Sequence, residues 1–211
     1  MTRRVRKPDP EKLKQELLVA LSRARERERS QLVPMVEALL ATVPVGSPDW
    51  VFAQRTLAEL LVSESPWRAA VAARAATTHA PDDAAAHGLL GLSLTLLGHY
   101  QAAARAYREA LALDPGNPWY AHNLGHLLDV ALGRPYEAVP WLRRAHDETP
   151  HVEVTASLAH ALGRTGRARE AETLLADALG DAPGDADHAA LLEWLRKGAP
   201  ERTGPRGDAR A

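Results

Sequence analysis

The chain has 211 residues, 26 Lys+Arg against 27 Asp+Glu for a formal net charge of -1, and no cysteine. The length supports a core without covalent staples, and the missing cysteines exclude disulfides, thiolate metal sites and thiol nucleophiles. The balanced charge gives no global attraction to nucleic acid or an anionic membrane, and no apolar run approaches the roughly 18 residues that a membrane span needs.

Alanine fills 40 of the 211 positions, 22 of the 26 basic residues are Arg, and aromatics make up only 5%. Ala, Leu, Arg and Glu favour helix, while the β-branched and aromatic residues that favour strands are scarce. An all-α chain is expected, and the Ala/Arg bias is that of a GC-rich bacterial genome. Residues 1–9, with Arg3, Arg4, Arg6 and Lys7, read as a disordered basic tail. They lack the apolar stretch of a secretory signal, so a cytoplasmic location is expected. Residues 11–30 carry Leu13, Leu17, Leu18 and Leu21 on one helical face before an Arg/Glu tract that reads as a solvated face. A second helix is expected from Ser30 to Pro44. The hairpin 10–47 is either a degenerate repeat or a dimerisation element, with residues 10–44 holding a possible homodimer.

From residue 48 to 185 the chain repeats. Pro81, Pro115, Pro150 and Pro183 are separated by 34, 35 and 33 residues. The columns Ala76, Ala110, Ala145, Ala178 and Ala69, Ala103, Ala138, Ala171 keep the same spacing. Each unit reads as helix, short turn, helix. Gly98, Gly133 and Gly166 fall in turns where a helix end needs a left-handed residue, and the prolines stop the second helices. The units are 50–83, 84–117, 118–152 and 153–185. The third has one extra residue, assigned to the neighbourhood of the Gly133-Arg134-Pro135 turn. Pro140 is expected to kink the second helix of that unit, and Trp67 to staple the turn of the first. Residues 186–197 read as an amphipathic capping helix, and 198–211 as a disordered tail.

The sequence resembles the tetratricopeptide repeat family, whose unit is a 34-residue helix–turn–helix with small residues ahead of a terminal Pro. The unit 84–117 carries the pattern best, through Leu90, Gly91, Tyr100, Ala103, Tyr107, Ala110 and Pro115. The unit 118–152 has Leu124, Gly125, Ala138, Leu142, Ala145 and Pro150, and 153–185 has Leu158, Ala159, Ala171, Leu175, Ala178 and Pro183. The unit 50–83 has Thr56 and Leu57 where Leu-Gly is usual. The resemblance implies a right-handed superhelical solenoid of antiparallel helix pairs, in which Gly91, Gly125 and Ala159 let neighbouring helices approach.

The candidate chemistry lies in histidines. His122, His126 and Asp129 fall at i, i+4 and i+7, on one helical face, and His160 stands in register with His126. Paired His at i, i+4 is a metal-ligand spacing, so a metal-dependent protein using His122, His126 and His160 is one alternative. The pattern lacks the Glu of a metalloprotease motif, so no catalytic residue, metal or other cofactor is assigned. The resemblance implies instead that first helices line a groove for another protein or peptide segment, with Trp119, His122, His126, Asp129, Leu92, Thr95, Leu96, His160 and Arg164 on it. It implies a non-enzymatic interaction module, and the balanced charge and the lack of a membrane-length apolar run argue against nucleic acid and membrane as partners. A chaperone for a secreted or assembled protein is the other alternative. Binding of C-terminal carboxylates by a Lys-based clamp is not expected, because the groove positions hold no Lys.

Overall fold

Prolines and short polar side chains set where the helices begin. The computed structural model describes residues 9–180 and 186–200. α1 (Pro10–Arg23) starts on Asp9, whose carboxylate accepts the Glu11 N–H, with Pro10 in the first turn where its missing N–H costs nothing. α3 (Pro48–Leu61) starts on Ser47, which accepts from Trp50 N, and α5 (Ala84–Leu96) on Asp83, which accepts from Ala86 N. Between them lie a 3-10 turn (Glu26–Leu32), α2 (Val33–Leu40) and α4 (Pro66–His79). α6 (Tyr100–Leu113) and the start of α7 (Pro118–His126) follow. A π-helical turn (Leu127–Ala131) continues α7, and α8 (Pro135–Glu148), α9 (Val152–Arg164), α10 (Ala168–Leu179) and α11 (Ala186–Arg196) complete the order. The described residues contain no strand.

The chain divides into two compact units, Met1–Tyr120 and Ala121–Ala211. In the first, α1 and α2 share a core with the helices after them. Leu17, Val36 and Leu39 are fully buried in one cluster with Trp50, Ala53 and Ala76. Small residues set the helix spacing. Ala69, Ala76, Ala103 and Ala110 are all 0% exposed. A Cβ on Gly91 would stand 2.8 Å from the Tyr107 ring, so the glycine makes the room that the aromatic fills. Burial pushes the Tyr107 phenol up to about 12 despite an opposing hydrogen bond with Thr95.

In the second unit α8 packs on α9, α9 on α10 and α10 on α11. Ala138, Ala145 and Ala171 are fully buried. A Cβ on Gly125 would meet Leu142 at 2.6 Å and one on Gly163 would meet Trp194 at 2.6 Å. Gly133 and Gly166 have φ of 65° and 83°, in the left-handed region that the turns require.

Several expectations change. Ala178 is exposed, so the inner alanine column ends one unit early. Pro183 lies outside the described residues, as do residues 1–8 of the expected tail 1–9 and residues 201–211 of the expected tail 198–211. Gly198, Ala199 and Pro200, expected to be disordered, are hydrogen-bonded to Leu195 and Trp194. Trp67 is 62% exposed, so most of its ring is left uncovered by the turn that it was expected to staple. α8 runs unbroken from Pro135 to Glu148 with Pro140 inside it. The extra residue of the third unit is not in the turn. From Gly91 to Gly98 is seven residues but from Gly125 to Gly133 is eight, and the surplus is taken up where Leu132 N bonds Leu127 O, five residues back, at 3.0 Å.

Candidate functional site

The π-turn decides which side chains meet. It widens the helix after His126 and carries Asp129 inward, where the residue is 1% exposed. A carboxylate so buried needs partners, and α9 supplies them. Arg164 Nη1 donates to Asp129 Oδ1 at 2.7 Å and to the Asp129 carbonyl at 2.5 Å. His160 donates from Nδ1 to Asp129 Oδ2 at 2.5 Å. A carboxylate only accepts, so the proton is on Nδ1 of His160. The three residues form one buried-to-surface network, with the carboxylate inside and both nitrogen groups reaching outward.

His122 and His126 form a separate cluster one turn earlier. Their ring centroids are 6.0 Å apart. Ser157 of α9 bridges them, with its Oγ 3.0 Å from His122 Nε2 and 3.4 Å from His126 Nδ1. A hydroxyl both donates and accepts, so it serves two neutral imidazoles. Burial, and then the neighbouring His126, lower the pKa of His122. Burial also lowers that of His126, against the pull of Asp129 and with a further push from His160.

These shifts have a sign for stability. The folded pKa values lie below the unfolded value of about 6.5. Below that pH the unfolded chain takes up protons that the folded chain refuses, so the stability is full above pH 6.5 and falls as pH drops through the folded values. The thermal midpoint is expected to fall between pH 7.5 and 5.5. The fall should be smaller in the double variant His122→Gln, His126→Gln. Equal falls in the two proteins would assign the effect to other groups.

The predicted residues therefore divide. His122, His126, Asp129, His160 and Arg164 come together in the second unit as two polar clusters. Asp129 faces inward rather than into solvent. Trp119, 49% exposed, lies in the first unit with half-buried Leu92 and Leu96, 54% exposed. Thr95 donates to the Gly91 carbonyl at 2.9 Å. The metal alternative is corrected. His160 is turned to Asp129, His122 and His126 are turned to Ser157, and among the described residues no three His, Cys, Asp or Glu groups are arranged to hold a metal ion.

Arg164 and His160 also line an open cleft of about 960 Å³ in the second unit. Val130, Tyr136, Leu191 and Trp194 supply its apolar walls and Asp187 stands at it as well. Tyr136 is 75% exposed and Val130 56%. His160 stacks on Trp194, with centroids 5.5 Å apart and planes at 26°. Sequence reasoning reached His160 and Arg164 but missed Ser157, Val130, Tyr136 and Trp194 as site residues. The available signal was the count of eight from Gly125 to Gly133, which puts the irregularity inside the helix next to Val130.

Residues 84–117 match the tetratricopeptide repeat family, and residues 129–195 match a second description of the same repeat. Among solved structures, YrrB, a tetratricopeptide-repeat protein with an unusual peptide-binding site, is similar over 72% of this chain and 79% of its own, at 24% identity and a TM-score of 0.63. TTC0263 of Thermus thermophilus is similar over 90% of this chain and all 100% of its own, at 19% identity and 0.62. The MamA protein is similar over 89% and 94%, at 17% identity and 0.66. At these identities the likeness shows the fold. No curated protein matches the sequence. The all-helical pairs, the repeat columns and both matched stretches agree: residues 84–117 and 129–195 carry tetratricopeptide repeats, a fold that serves as a protein-interaction scaffold.

Proposed function

We propose that the chain is a non-enzymatic scaffold that holds a segment of another protein in the cleft of its second unit. The supporting observation is the cleft itself. An Arg and a His are fixed from behind by the buried Asp129, beside exposed Tyr136 and Val130 and the Trp194 ring. Preset polar groups next to aromatic walls are the composition of a binding surface. The formal charge of -1 supports a protein rather than a nucleic-acid partner. YrrB is described by its peptide-binding site, and the same use of the fold is carried here as part of the proposal.

The test is a photo-crosslinking amino acid at position 136, with Arg169 on the exposed face of α10 as the control position. In cells of the source organism, position 136 is expected to give a discrete protein adduct that position 169 does not. Identical adduct patterns from the two positions would count against the cleft as the binding surface.

A further inference from the structure

The chain already seats a short piece of itself at the cleft. After α11, Gly198 N bonds Leu195 O at 2.8 Å and Ala199 N bonds Trp194 O at 2.9 Å. The chain then folds back, and the Trp194 indole N–H donates to the Pro200 carbonyl at 2.9 Å. Ala199 and Pro200 both line the cleft. Ala199 has φ of 51°, a left-handed conformation that a residue with a Cβ rarely adopts. An Ala-Pro pair therefore lies against an aromatic edge with an indole N–H on its carbonyl, and it is held there in a strained backbone.

The remaining groups want the same kind of ligand. Arg164 donates to Asp129 through Nη1 alone, so among the described residues its Nε and Nη2 N–H groups have no acceptor. Asp129 balances its charge, and Asp187 is the other ionised side chain at the cleft. The site is therefore not cationic, and it offers hydrogen-bond donors between aromatic walls. A polyproline II segment has the matching chemistry. It has no internal hydrogen bonds, so its carbonyls need donors, and its pyrrolidine rings pack on aromatic faces.

We propose that the cleft takes an extended, proline-containing segment of a partner protein, which replaces the chain's own Ala199-Pro200 on Trp194. This rests on the cleft being the partner site. Gly163 is the positioning residue: a Cβ there would stand 2.6 Å from the Trp194 ring, so only glycine lets the indole lie where the segment meets it.

The experiment uses the full chain labelled with nitrogen-15 at its five tryptophans, with the Trp194 indole resonance assigned through Trp194→Phe. The probes are a synthetic Ala-Pro repeat peptide and an Ala-Gly repeat of equal length. Up to about 1 mM peptide, the Ala-Pro probe is expected to move the Trp194 resonance and the Ala-Gly probe to leave it. Pro200→Gly, which loosens the resident segment, should tighten the Ala-Pro complex about threefold or more. Trp194→Phe keeps the stacking but removes the donor, and should weaken the complex, read by anisotropy of a labelled probe, about fivefold or more. A still Trp194 resonance with Ala-Pro, equal shifts with both probes, or unchanged affinity in Pro200→Gly would overturn the proposal. Random peptides selected on phage separate the two levels. Selected peptides that move Trp194 but lack proline leave the cleft as a partner site and remove the proline preference. If neither these nor the Ala-Pro probe moves Trp194, both fall.

Discussion

Asp129→Ala is expected to destabilise the chain by about 2–4 kcal/mol, read as a lower urea midpoint at unchanged slope. The carboxylate is 1% exposed and takes hydrogen bonds from Arg164 and His160. Removing it leaves a guanidinium and an imidazole over an empty space on the inner side. The cost falls short of that for a fully buried triad, because the side chains of Arg164 and His160 are 33% and 36% exposed and can rehydrate. Arg164→Met should be at least as damaging, since it strands the charge inside rather than at the edge. The pair Asp129→Leu, Arg164→Met should recover part of the loss, and a double-mutant cycle measures the coupling. A cost below about 0.5 kcal/mol for Asp129→Ala would place the residue among ordinary surface groups.

Gly125→Val should be as severe, by a different route. Its Cβ would lie 2.6 Å from Leu142 Cγ and 3.2 Å from the Leu142 backbone N. The side chain of Leu142 is itself fully buried, so it has nowhere to turn, and the backbone contact forces α7 and α8 apart. Overpacking costs about 1–3 kcal/mol and occasionally more, and the contact with backbone as well as side chain puts this site at the upper end. Gly133→Ala is the control. It has φ of 65° but nothing within 4 Å of a new Cβ, so it should cost only about 1–2 kcal/mol from the left-handed backbone. If the two glycines cost the same in urea titrations, close helix approach does not set the spacing in this unit.

The features legible in the sequence are those that recur. Proline stops, turn glycines and buried alanines repeat because every hairpin meets the same steric demand, and three columns in step are enough to recover the helix pairs. Features that depend on a single place are not legible. Ala178 keeps its column in the sequence but is exposed, because burial comes from a neighbour and not from the residue. Ideal helical spacing places Asp129 on the His122/His126 face, and the wide turn moves it. Ser157 carries no pattern at all, since a mid-helix serine gains its role only from rings on another helix. Trp194 reads correctly as part of a terminal amphipathic helix, but its stacking on His160 depends on Gly163, whose importance appears only once the ring is seen against it.

The widened turn at Leu127–Ala131 also carries a practical lesson for engineering. Residues before it and residues after it belong to different phases of the thirty-four-residue frame. A consensus sequence spliced onto this hairpin must change its offset by one within those five positions. A designer who keeps a single offset would move Asp129 out of the place where Arg164 and His160 meet it.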